Sequence, residues 1–188
     1  MTQTQINPRN CHHKATEQSN FVSRLRIAHI NDTHSHFEPS ALQLTLELDQ
    51  KQLTPFVSVG GFARIATRVK ALKQDAAQKG DNFLFLHAGD CFQGTLYFSL
   101  FKGQANADLL NALQIDAMAL GNHELDMGND PVARFLTQIE FPLLAGNWDV
   151  SQEDPNKTHQ VAGSDKLYPY QVASKTASWI TKQAGDAP

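Results

Sequence analysis

Three short stretches concentrate side chains able to grip a metal ion or a phosphoryl group: Asn31-Asp32-Thr33-His34, His87-Ala88-Gly89-Asp90 and Gly121-Asn122-His123-Glu124-Leu125-Asp126. Each follows a short apolar run, namely Ile27-Ala28-His29-Ile30, Phe83-Leu84-Phe85-Leu86 and Asp116-Ala117-Met118-Ala119-Leu120. Amides, imidazoles and carboxylates crowded at the end of a buried strand are costly as packing, and useful where they face a ligand. Asp32 and His34 are two residues apart, so an extended backbone points both the same way, toward one ion. A two-metal hydrolase needs oxygen and nitrogen ligands around two divalent ions about 3.5–4 Å apart, with a carboxylate between them. Asp32, His34, Asp90 and Asn122 have the required chemistry. Asp90, on the middle of the three stretches, is the candidate bridge, and the Asn122 amide oxygen ligates without adding negative charge. His36 continues the alternation, either behind a ligand or facing solvent.

The elements that must position these residues alternate between two periods. Leu25–Ile30 reads as a first core strand, in which His29 packs or hydrogen-bonds. Leu42, Leu44, Leu46 and Leu48 alternate with polar residues as in a half-buried antiparallel strand, Asp49-Gln50-Lys51-Gln52 make a turn, and Phe56, Val57 and Val59 return, so this pair decorates the main sheet. Gly60-Gly61 opens a helix with apolar positions Phe62, Ile65, Val69 and Leu72, closed by Lys79-Gly80. Phe83–Leu86 lacks polar alternation, as in a strand covered on both faces. Leu109, Leu110 and Leu113 mark a second helix, and Asp130-Pro131 starts a third whose buried face is Val132, Phe135, Leu136 and Ile139. Phe141–Ala145 resumes a strand that reaches Gly146-Asn147-Trp148-Asp149, and Leu167–Val172 is one more edge strand. The rhythm describes an α/β layered domain with a largely parallel sheet.

Composition narrows the partners. With 16 Lys+Arg against 19 Asp+Glu the formal charge is -3, and no basic run offers a track for a nucleic-acid polymer. A small phosphorylated molecule remains compatible, because metal ions supply positive charge. Residues 1–22 read as a polar arm without an apolar leader segment, and no stretch has the length and hydropathy of a membrane span, so cytoplasmic placement is expected, or periplasmic or extracellular if the recorded start is not the true one. Cys11 and Cys91 do not make a disulfide scaffold, and Cys11-His12-His13 lacks a second cluster with structural-zinc spacing.

In this order and at these separations, the three stretches resemble the calcineurin-like metallophosphoesterases. The likeness is to the 5'-nucleotidase family within them, which includes bacterial UDP-sugar hydrolase/5'-nucleotidase and 2',3'-cyclic-nucleotide phosphodiesterase. Gly60-Gly61-Phe62-Ala63-Arg64 and Ala145-Gly146-Asn147-Trp148 also resemble that branch, and the likeness covers roughly residues 25–150. The resemblance implies a layered α/β sheet sandwich with flanking helices. It implies that Asp32 and His34 bind the first of two divalent metal ions (Mn, Zn, Co or Mg), that Asp90 bridges both and that Asn122 binds the second. His123 would hydrogen-bond the phosphoryl group rather than ligate, Asp126 would orient and polarise His123, and Glu124 would be a structural hydrogen-bonding residue. The implied reaction is attack of metal-bound hydroxide on a nucleoside 5'-monophosphate, or on a related nucleotide ester or pyrophosphate.

The family pattern continues with two further histidines for the second metal, another ligand for the first, and a C-terminal domain whose aromatic residues stack on the base. Here His159 is the single histidine after His123, and it lies in a polar segment. The sequence therefore reads as the N-terminal part of a longer enzyme: an arm over 1–22, part of the phosphoesterase domain over 23–150, and a polar segment with an edge strand and truncated tail over 151–188. It is expected to carry only part of the site, so that ordinary turnover by these 188 residues alone is not expected. A catalytically inactive truncated binding domain is the alternative.

Overall fold

The computed structural model describes residues 23–169. The arm, Cys11-His12-His13 and everything from Tyr170 onward lie outside the described residues. In chain order the elements are β1 (Leu25–Ile30), the short strands β2 (Ser40–Gln43), β3 (Leu46–Leu48), β4 (Lys51–Leu53) and β5 (Phe56–Val59), then α1 (Phe62–Gln78) and β6 (Asn82–His87). They continue with α2 (Leu96–Phe101), α3 (Gln104–Leu113), β7 (Ala117–Ala119), a single 3-10 turn at His123–Leu125, α4 (Asn129–Gln138), β8 (Leu143–Ala145) and β9 (Leu167–Pro169).

Five of the strands form one sheet in the order β1-β6-β7-β8-β9, every neighbouring pair parallel. Parallel pairing places the carboxyl ends of adjacent strands at the same edge, which is where open α/β sheets bind ligands. Ile30 pairs with His87 and His87 with Met118, so the loops after β1, β6 and β7 leave the sheet side by side. The three polar stretches therefore converge as the sequence reading expects.

The two faces of the sheet differ. Phe85, His87, Met118, Leu143, Ala145 and Leu167 share one face in register and are buried. Against them pack Phe62 of α1, Leu110 and Leu113 of α3, and Val132, Phe135 and Leu136 of α4, in one core cluster. The other face carries Leu25 and Ile27, which remain 53% and 58% exposed, and half-buried Leu84, Leu86 and Leu144. His29 shares that face and is exposed, because β1 is an edge strand.

Helix boundaries follow local chemistry. Gly61 sits at the entry of α1 with φ +87°, and a Cβ there would lie 2.9 Å from the Pro39 nitrogen, so the helix entry packs closely against the chain. Lys79 closes that helix, and Gly80 follows at φ +68°. Arg26 on β1 ties the edge strand to the helix end, with Nε 2.6 Å from Asp81 and a second ion pair to Asp75. α4 begins one residue before Asp130, after Gly128, and makes no side-chain cap.

Two local expectations change. The leucine-rich alternation forms β2 and β3 rather than one strand. β2 pairs with β5 and β3 with β4, all antiparallel, and the turn narrows to Asp49-Gln50, with Lys51 and Gln52 already in β4. This arm is exposed rather than half-buried: Leu42, Leu46, Leu48 and Leu53 are 40–55% accessible. The helix α2 has no counterpart in the sequence reading. Among the described residues, no helix is long and apolar enough to cross a membrane.

Phe135 is 1% exposed and meets Phe92 edge-on at 5.2 Å and Phe141 at 6.3 Å between ring centres. Replacing it by alanine removes those contacts and leaves a cavity, so Phe135→Ala is expected to cost about 3–5 kcal/mol. Urea unfolding checks this: the midpoint should fall while the slope stays unchanged.

Candidate metal centre

The loop after β1 is stitched to the loop after β6. Asp32, His34 and Ser35 donate their N–H groups to the carbonyls of Gly89, Asp90 and Cys91 at 3.0, 3.1 and 3.0 Å, carrying the pairing beyond the strands. Asp32, His34, Ser35 and Asp90 all have positive φ, between 42° and 59°. Left-handed backbone costs a side-chain-bearing residue roughly 1–2 kcal/mol, so the surrounding bonds must hold these loops in place. Gly94 lets the chains approach: a Cβ there would fall 2.2 Å from the His34 carbonyl oxygen.

The ligand-type side chains are held by backbone groups. His34 Nδ1–H donates to the Phe92 carbonyl at 2.9 Å, which leaves the Nε2 lone pair for a ligand. Asp90 Oδ1 accepts the His123 N–H at 2.9 Å. The third loop lies against the second because both carry glycine at the contact. A Cβ on Gly89 would sit 2.9 Å from Gly121 Cα, and one on Gly121 would sit 2.1 Å from Asp90 Oδ1.

Ligand atoms of His34, Asp90 and His123 all lie within 4.8 Å of one another, and the two imidazoles meet edge-on with centres 5.1 Å apart. This nitrogen and oxygen set suits a borderline divalent ion. Asp32 stands beside it, exposed, with Oδ1 3.8 Å from His34 Nε2 and its other oxygen accepting from Asn31 Nδ2. Asn122 is exposed at the start of the 3-10 turn. Asp126 faces back across that turn, its Oδ2 2.7 Å from His123 Nδ1. That bond holds the His123 pKa above the ordinary imidazole value, against a smaller opposing effect of desolvation. His36 is exposed and lines an open cleft of about 480 Å³ beside Asp32, Glu38 and Gly61. His159 lies between β8 and β9, in the polar segment.

Several supports of the centre are buried. Glu124, 1% exposed, accepts four backbone N–H bonds: from Gly121, Asp90, Cys91 and Phe92, at 2.7–3.1 Å. Its structural hydrogen-bonding role agrees with the expectation from sequence. Asn106 and Ser35, both buried, bond each other at 3.0 Å, and both reach the Cys91 carbonyl. Neither is singled out by the sequence, since a lone serine and a single asparagine in the first turn of a helix carry no pattern. Cys91 is a buried spacer whose thiol pKa is pushed well up by burial and by the neighbouring Glu124, the opposite of a thiolate ligand.

His87, 1% exposed, accepts the Gly89 N–H at Nδ1 (3.1 Å) and therefore donates from Nε2 to Thr33 Oγ1 (3.0 Å). It is a neutral strut between the first two loops, not a member of the ligand cluster. Burial lowers its pKa to about 4, although Asp32 and Asp90 pull the other way.

A model of the calcineurin-like phosphoesterases matches residues 25–180. The chain belongs to this family. The chain is 42% identical over 123 residues to a probable 5'-nucleotidase of Treponema pallidum, a match covering 65% of this chain and 19% of the relative. The solved NAD nucleotidase of Haemophilus influenzae matches at 40% identity and TM-score 0.56, over 64% of this chain and 20% of that one. A 5'-nucleotidase precursor from Thermus thermophilus matches at 42% identity and TM-score 0.53, over 68% and 23%. The chain thus spans about a fifth of the length of these relatives.

Two outcomes test this construction. The folded pKa of His87 lies below the unfolded value of 6.5, so the unfolded chain takes the proton first. Stability of the metal-free protein should fall as pH drops from about 6.5 to about 4, by roughly 3 kcal/mol from this residue. Urea midpoints of wild type and His87→Gln across that window should show the smaller pH dependence in the variant. Separately, Gly121→Ala drives a methyl into Asp90 and Glu124. It is expected to lower Mn²⁺ affinity at least tenfold by calorimetric titration, alongside a lower melting temperature.

Proposed function

We propose that the protein bearing this sequence is a metal-dependent phosphoric ester hydrolase of the 5'-nucleotidase type, and that these residues supply the N-terminal share of its active site. The observation that carries the reading is the convergence of His34, Asp90 and His123 at the carboxyl edge of a parallel sheet. The identities to 5'-nucleotidases support the substrate class, a nucleoside 5'-monophosphate.

In this reading Asp32, His34, Asp90 and Asn122 would hold divalent metal ions, and Asp90 would be the residue common to both. The donor set fits: His34 presents a free Nε2, and Asp90 is fixed through the His123 N–H bond while its other oxygen makes no bond among the described residues. When bound, such ions supply Lewis-acid activation of water and neutralise charge on the phosphoryl group. His123 acts from the protein side. With Nδ1–H engaged by Asp126, its protonated ring offers Nε2–H to a phosphoryl oxygen or to the leaving group as charge develops there. Asp126 fixes the ring and favours its cationic form. The cluster geometry favours a second role, in which neutral His123 ligates through Nε2.

The test is phosphate release in Mn²⁺ or Co²⁺ from 5'-AMP, a UDP-sugar and a 2',3'-cyclic nucleotide, measured on the 188-residue chain and on the longest product its gene encodes. Preference for 5'-AMP, loss with EDTA and loss in Asp90→Asn support the reading. Preference for either other substrate moves the protein to UDP-sugar hydrolase or cyclic phosphodiesterase. Metal binding without hydrolysis of any of them makes it a binding domain. His123→Asn should lower kcat by about 10²–10⁴-fold with little change in Mn²⁺ affinity if His123 donates a proton, whereas a matching loss of affinity would assign it as a ligand.

A further inference from the structure

Glu124 is a buried carboxylate to which the mechanism gives no chemical step. Its surroundings are unusual for a buried anion. Among the described residues it makes no salt bridge, and its two oxygens are occupied by four backbone N–H groups from two separate loops. Oε1 accepts from Cys91 at 2.7 Å and Phe92 at 3.1 Å, while Oε2 accepts from Asp90 at 3.0 Å and Gly121 at 2.7 Å. Three consecutive amides of the loop after β6 thus point at one carboxylate carried by the loop after β7. A concave run of N–H groups binds an anion in this way elsewhere in proteins. Here the anion belongs to the protein itself.

The consequence for the metal centre is geometric. Asp90 has positive φ, a backbone state that its own side chain disfavours. The bonds to the N–H groups of Asp90, Cys91 and Phe92 fix that state, and the bond to Gly121 fixes the start of the loop bearing Asn122 and His123. We infer that Glu124 is the positioning residue of the centre: it clamps the Asp90 loop to the Asn122–His123 loop, so that ligands from two strands face one point, and it adds a fixed negative charge behind them. The inference rests on the metal-dependent reading above. It assigns Glu124 a task in metal binding distinct from both ligation and proton transfer.

Glu124→Gln is the direct test, because it keeps size and shape while removing the charge. An amide NH₂ must then face either Asp90 and Gly121 or Cys91 and Phe92, setting donor against donor and breaking two of the four bonds. Glu140→Gln is the control, since Glu140 is exposed and makes the same change of charge away from the site. On the 188-residue chain, Mn²⁺ titration calorimetry should show Glu124→Gln about 10–100-fold weaker than wild type and Glu140→Gln unchanged. Bound Co²⁺ should show a changed visible absorption spectrum in Glu124→Gln, which a merely structural loss of stability would not produce in the folded fraction. A folded Glu124→Gln with wild-type Mn²⁺ affinity and Co²⁺ spectrum overturns the inference and leaves the metal reading standing. A wild type that binds no Mn²⁺ overturns the metal reading and the inference with it. If Glu124→Gln does not fold by circular dichroism, amide exchange in the wild type decides. Zn²⁺ should slow exchange at Asp90, Cys91, Phe92 and Gly121 together, and exchange there that ignores the metal overturns the inference.

Discussion

The centre depends on how closely two loops can approach. Gly89 and Gly121 touch backbone to backbone, and neither position has room for a methyl group. That contact lets Asp90 Oδ1 meet the His123 N–H, and it brings a carboxylate from one strand end beside an imidazole from the next. Parallel pairing aligns the strand ends only to within a side chain's length. The last ångströms come from two residues without side chains, whose role is to leave space. Close approach also forces several neighbours into left-handed backbone, and the bonds from Asp32, His34 and Ser35 to the adjoining loop offset that strain.

Charge is arranged around this contact with the same economy. His87 lies directly under the loops and could have brought a cation against Asp32 and Asp90, but burial and two hydrogen bonds keep it neutral at ordinary pH. Its hydrogen-bond partner Thr33 is uncharged as well. The carboxylates that line the centre are thus not neutralised from beneath, and their negative potential remains available to an ion arriving from solvent. His123 is held toward its protonated form, first by the bond to Asp126 on the outer side of the turn and to a smaller extent by the charges of Asp90 and Glu124.

Much of this was legible in the sequence, and the gaps have physical causes. Strand ends were readable because apolar runs give way abruptly to Asp, His and Asn, a transition that a core would not tolerate without a use for it. The helix α2 was missed because Leu96–Phe101 lacks a polar face. Its entry signal was nevertheless present, since Thr95 accepts the Tyr97 N–H as a capping residue and also bonds the Ser35 carbonyl. Leucine alternation over residues 42–48 correctly announced strands, but a period of two does not say whether anything covers the apolar face. Here the arm stands exposed. Asn106 could not have been found, because its partners are 15 and 71 residues away in sequence and it belongs to no local pattern.

Burial divides the labour among the polar residues. Glu124, His87, Asn106 and Ser35 are each no more than 1% exposed and bond to backbone or to one another. Asp32, Asn122 and Asp126 are exposed, and His34, Asp90 and His123 are half-buried. The inner group sets loop geometry, so a change there alters both folding and the centre. The exposed residues Asp32, Asn122 and Asp126 face solvent, whereas His34 and Asp90 also carry bonds that join the loops. The candidate site residues are readable because they cluster at strand ends, as His87 and Glu124 do, whereas Ser35 and Asn106 meet their partners only after folding.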